Sequence, residues 1–201
     1  MIFSKMIVLV VFTAIFVPVL FAQPLQMDSS ACILEIRGKE SGDLFGRPIV
    51  CVDLDDDGRD EIVVGADRYN FTDGRRPTLY IFRGRRSFEG HNLIDLGAGG
   101  AADAVILGET ASTNLAPSLA SGDVNGDGVM DLVATDSTMN AASDRAGAGV
   151  GYVLFGRPDF FDKTVYDFQL GDWDVKFLGG YAGEDLGGSS MFGGMISKGV
   201  A

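Results

Sequence analysis

The sequence predicts an all-β protein built from β-propeller blades, four-stranded antiparallel sheets that form an incomplete ring. Three observations lead there. The chain repeats itself: IRGKESGDLFG, ILGETASTNLAP and FLGGYAGEDLGG open three related segments, with Gly38, Gly108 and Gly179 spaced 70 to 71 residues apart. Within each unit the apolar runs are only four to six residues long, rich in Val, Ile, Leu and aromatics, and bounded by Gly, Asp, Asn and Pro, which favours strands over helices. The 28 glycines suit tight turns between short strands better than a helical array.

Each unit reads as about four strands. In the first they fall near 49 to 53, 61 to 65, 78 to 82 and 93 to 96, and in the second near 118 to 122, 131 to 135, 150 to 154 and 165 to 168. The units are expected at 33–105 and 106–177, with a partial third at 178–201. Four-stranded sheets repeated along a chain suggest propeller blades, and a propeller needs about 4 to 8 of them to close. Two units and a fraction predict that further repeats or a partner chain complete the ring, because open strand edges invite aggregation.

Residues 1–22 carry one cation, Lys5, ahead of an apolar run from Met6 to Ala22, the pattern of a cleaved secretory signal. A membrane anchor is the rival, but the run is short for the roughly 20 apolar residues a spanning helix needs, and Pro18 interrupts it. Beyond residue 22 there are 28 acidic and 15 basic side chains, a formal charge of −13, which disfavours nucleic acid and anionic membrane and favours cations. The expected location is secreted or at the cell surface. Cys32 and Cys51 are the two cysteines; they either pair, for about 3 kcal/mol, or are small core residues. Asn70-Phe71-Thr72 is an N-glycosylation acceptor triplet in a polar stretch.

The chemistry concentrates in two acidic loops, DLDDDGRDE at 53–61 and DVNGDGVMD at 123–131. A hard cation such as Ca²⁺ takes six to eight oxygens, and a short turning loop supplies most of them by alternating inward side chains. Positions 1, 3 and 5 are Asp53, Asp55 and Asp57 in one loop and Asp123, Asn125 and Asp127 in the other. Gly58 and Gly128 allow the sharp turn at position 6. The carbonyls of Arg59 and Val129 follow at position 7, and Glu61 and Asp131 can close the shell at position 9. A solvated turn needs none of this spacing, still less twice at equivalent places. The first loop's additional ligand carboxylate favours tighter calcium binding there by charge count.

An EF-hand requires a glutamate at position 12 and flanking helices, but Val64 and Ala134 stand at that position. Dockerin-type loops are also followed by helices, whereas EIVVGA and DLVAT read as strands. What remains resembles the FG-GAP repeat, the blade of the integrin α-subunit propeller. Phe45-Gly46 matches the FG, Asp53 to Glu61 the calcium loop, and Gly65-Ala66 the GA, with Asp67 where proline is usual. In the second unit Ala116-Pro117 replaces FG and Ala134-Thr135 replaces GA; the third offers Phe192-Gly193. The resemblance implies a propeller whose calcium sites brace loops on one face, and a role in binding other molecules.

The expected function is therefore an extracellular calcium-binding propeller segment serving adhesion or recognition of a protein or glycan, and not an enzyme. The alternative is the propeller module of a larger secreted hydrolase or lyase, since such repeats are also appended to enzymes. No Walker loop, zincin motif or nucleophile elbow is present, and His91 has no hydrolase motif beside it. The arginines at 75, 76, 83, 85 and 86 read as a solvated run or an anionic-glycan contact, and Trp173, between Asp172 and Asp174, as a sugar-stacking ring or equally as packing between blades.

Overall fold

The computed structural model describes residues 34–66, 74–86, 93–111 and 114–188. The signal-like segment, Cys32, Asn70, His91 and Phe192-Gly193 lie outside these residues. The chain is all-β: among the described residues there are strands and single 3-10 turns and no α-helix.

Strands β1 (Glu35–Arg37), β2 (Phe45–Val52), β3 (Glu61–Ala66), β4 (Thr78–Phe82), β5 (Leu93–Asp95) and β6 (Ala104–Leu107) belong to the first unit. The second contributes β7 (Leu115–Gly122), β8 (Asp131–Asp136), β9 (Val150–Leu154), β10 (Val165–Asp167) and β11 (Val175–Leu178). The first blade is the antiparallel meander β2-β3-β4-β6, and the second is β7-β8-β9-β11. Among the described residues no closed barrel forms, in keeping with an incomplete propeller.

Side-chain alternation gives the first blade two buried faces. On one face of the first blade, Val63 pairs with Ile81 and Leu79 with Ile106, and these residues join Leu132, Ala134, Tyr152 and Leu154 of the second blade in one core. Tyr152 stacks on Phe168 with ring centroids 4.5 Å apart, filling the wedge between the blades. The opposite face, with Val64 and Phe82, packs on Leu96, Ile36 and Ile94. Burying each such aliphatic side chain contributes about 1.5 to 3 kcal/mol.

The fourth strand of each blade is not where the sequence reading put it. Segments 93–96 and 165–168 do not follow β4 and β9 in their sheets; the outer strands are β6 and β11. Those outer strands run across the 105/106 and 177/178 repeat boundaries drawn from sequence. Instead β5 pairs parallel with β1 at the start of its own unit, and β10 pairs parallel with β6, so the second unit reaches back to the outer strand of the first. The physical cause sits at the end of each short strand. Asp95 accepts the amides of Gly97 and Ala98, and Asp167 that of Gln169, turning the chain into a 3-10 turn after three residues.

Phe45 pairs with Ala66 and Leu115 with Asp136, each just before a bulge, so Leu115-Ala116 and not Ala116-Pro117 is the counterpart of Phe45-Gly46. The second residue is left-handed in both, with φ of 100° at Gly46 and 63° at Ala116. Gly187, one repeat further on, is likewise left-handed at 79°, which makes Leu186-Gly187 the third copy.

Candidate metal centre

Each acidic loop joins the first and second strands of its blade and folds around its first aspartate. The Asp53 carboxylate accepts the amides of Asp57 (3.2 Å) and Gly58 (3.0 Å), and Asp123 accepts those of Gly126 (2.6 Å) and Gly128 (3.1 Å). Position 5 secures the turn that follows: Asp57 accepts the Arg59 amide and Asp127 the Val129 amide. Two residues per loop are left-handed, Asp56 and Gly58 in the first and Gly126 and Gly128 in the second. The sequence reading foresaw the second of each pair, and Gly126 was the available sign of the first.

Three of the first loop's expected ligands come together. Asp53, Asp55 and Glu61 offer oxygens that all lie within 4.8 Å of one another. Asp57 is not in that group; its carboxylate pairs with Arg59, whose guanidinium holds it below the usual carboxylate range. The Oδ1 atom of Asp55 is buried and accepts no hydrogen bond. An orphaned carboxylate oxygen beside two other carboxylates is costly without a cation. Burial pushes the Glu61 carboxyl up to about 7, with the charges of Asp55 and Asp53 adding to the shift.

The second loop has Asn125 in place of Asp55 and gathers no such acidic trio among the described residues. Its Asn125 amide donates to Asp127 (2.9 Å) while the Asn125 oxygen accepts the Asp127 amide (2.9 Å). The side-chain oxygens of both loops nevertheless suit a hard divalent cation in kind.

Position 9 has a role that ligand spacing did not reveal. Glu61 accepts the amides of Leu54 (2.7 Å) and Gly84 (3.3 Å), and Asp131 those of Val124 (2.7 Å) and Gly156 (2.9 Å). Each carboxylate therefore ties the acidic loop to the turn beyond the third strand, whether or not it also faces metal. Gly84 and Gly156 permit the approach, since a Cβ would lie 2.6 Å from the Asp60 carbonyl oxygen and 2.1 Å from that of Met130. The repeated glycine was legible in FRGRR and LFGRP, but not its purpose.

The arginine run is largely spent on the protein's own carboxylates. Arg75 pairs with Glu40, Arg76 with Asp167, Arg83 with Asp55 and Arg85 with Asp103. Trp173 packs against the core between the blades, the second of its two readings. Cys51 is exposed on β2.

Repeated antiparallel blades with an acidic loop after the first strand of each define a propeller-type repeat protein. Residues 53–134 match the family model of the FG-GAP-like repeat, a stretch that runs from the first acidic loop through the second. Over these residues the chain is similar to the FG-GAP-like repeat. No curated protein matches the chain. No helix among the described residues is long and apolar enough to cross a membrane.

Proposed function

We propose that this chain is an extracellular calcium-braced propeller segment that serves adhesion or recognition of a protein or glycan. The observation that carries the calcium part is the buried, unpartnered Asp55 Oδ1 within the Asp53–Asp55–Glu61 group. The ion supplies positive charge where three carboxylates converge, and the chain's own residues do the bracing. Asp53 and Asp123 fold the loops, while Glu61 and Asp131 fasten them to the neighbouring turns. Extracellular calcium modules of this kind bind at about 10⁻⁴ to 10⁻³ M, a range that suits a structural brace better than a sensor.

Recognition is supported by the architecture: rigid blades hold loops on one side, where binding residues commonly sit. Further repeats or a partner chain would cover the second blade's open face, where Val175 and Phe177 are exposed. Calcium titration followed by thermal melting tests the brace. The melting temperature is expected to rise with calcium and fall with chelator, by mass action. A melting curve indifferent to both overturns the reading.

A further inference from the structure

Among the differences between the two units, two are linked in space. Where the first has Asp55, the second has Asn125; where the first has Arg83, the second has Phe155. The equivalence of Arg83 and Phe155 follows from their backbones: the Arg83 amide donates to Asp103 and the Phe155 amide to Asp174, and the next residue in each, Gly84 or Gly156, donates to the position 9 carboxylate. The additional carboxylate of the first loop thus arrives together with an additional cation.

Arg83 is placed to act on that carboxylate. Its guanidinium forms an ion pair with Asp55 Oδ2, whose side chain is 2 % exposed, and lies over the Phe161 ring of the second unit at 4.3 Å from the centroid. The aromatic face holds the cation in place. One oxygen of Asp55 is therefore committed to Arg83, and the other, Oδ1, has no hydrogen-bond partner.

We infer that Arg83 is the affinity-determining residue of the first metal loop, withdrawing through Asp55 the charge advantage that the fourth carboxylate would otherwise give it over the second loop. The inference rests on the calcium reading above and deepens it. The count of ligand carboxylates alone ranks the first site tighter; Asp55 with Arg83, taken as a pair, carries no more net charge than Asn125 with Phe155 at the equivalent places. The second unit supplies the ring that positions Arg83, so the first loop's affinity depends on how the blades pack.

The test is calcium titration by calorimetry on the full chain and its variants, with an Asp127→Asn background that weakens the second loop and isolates the first. Removing one opposing charge at contact distance in a partly screened site, by Arg83→Gln, is expected to tighten the first loop about tenfold, equal to about 1.4 kcal/mol. Arg83→Gln combined with Asp55→Asn is expected to return it close to the starting affinity. Phe155→Arg, which adds a cation at the equivalent place, is expected to weaken the second loop and keeps the test open if Arg83→Gln does not fold. Calcium binding at the second loop with a first-loop affinity unchanged or weakened in Arg83→Gln, or a second loop indifferent to Phe155→Arg, overturns the inference alone. Absence of calcium binding at both loops of the unaltered chain overturns the inference and the calcium reading together.

Discussion

The Leu54 carbonyl in the first acidic loop accepts a hydrogen bond from the Arg157 amide of the second unit at 2.8 Å, while the Leu54 side chain is fully buried in the core between the blades. Its counterpart in the second loop, Val124, is 47 % exposed. Equivalent residues in two copies of one loop therefore carry different loads. The loop is a wedge only where a following blade covers it.

That contrast predicts opposite outcomes for the same kind of truncation. Leu54→Ala should destabilise the protein by about 2 to 5 kcal/mol, the range for a buried leucine that leaves a cavity. Val124→Ala should change stability by less than about 0.5 kcal/mol. Urea unfolding of both variants, followed by tryptophan fluorescence from Trp173, checks the pair. Comparable losses at the two positions would contradict the asymmetry.

The position 9 carboxylates should matter even without metal. Glu61→Ala strands the amides of Leu54 and Gly84, and Asp131→Ala those of Val124 and Gly156. Leaving a buried amide unpaired costs about 1 to 3 kcal/mol and a part-buried one less, so each variant, which strands one of each kind, should lose about 2 to 4 kcal/mol. Thermal melts in chelator measure this directly. If either variant loses stability only when calcium is present, the residue acts as a ligand and not as a fastener.

Much of this was legible in the sequence, and the exceptions share a cause. The acidic loops and three strands in each blade follow from spacing and composition, which report local geometry. The fourth strands were misplaced because LID and VYD have the composition of strands but are stopped by the capping side chains of Asp95 and Asp167, and they pair with β1 and β6, far away in the chain, and not with β4 and β9. The FG register slipped by one residue because alanine occupies a left-handed position at 116 where glycine stands at 46. Arg83 had no local signal at all. Its meaning comes from Asp55, 28 positions away in the chain, and from a ring in the next unit.

The two units are also joined by Arg76, which donates to both oxygens of Asp167 at 2.5 and 2.6 Å. The Arg76 guanidinium, followed by the Gln169 amide, holds the Asp167 carboxyl below its ordinary range. A depressed folded-state value means that this contribution is present above the unfolded carboxylate value of about 3.9 and is lost as pH falls through the folded value. Arg76→Met should therefore cost about 1 kcal/mol at pH 7, with the gap to the unaltered protein narrowing below about pH 4. Unfolding curves at pH 7, 4 and 3 give the comparison. A gap of constant size across that range would assign the loss to packing and not to charge.

Two glycines of the first unit serve different ends, and alanine separates them. A Cβ on Gly65 would lie 2.5 Å from the Arg47 carbonyl oxygen and 2.7 Å from Pro48 Cδ, so the strand bulge must move to admit it. A Cβ on Gly46 would meet nothing within 4 Å, and its φ of +100° is the main obstacle. Gly65→Ala should accordingly cost about 2 to 3 kcal/mol, as overpacking does, and Gly46→Ala about 1 kcal/mol of backbone strain. Ala116, at the position equivalent to Gly46, shows that the strain is tolerable. Gly65 instead owes its residue type to the folded bulge beside it, so Arg47 and Pro48 set the constraint. Denaturant midpoints for the two variants should differ in that order, and a larger loss at Gly46 would show that backbone conformation, not the approach of the bulge, governs the start of the blade.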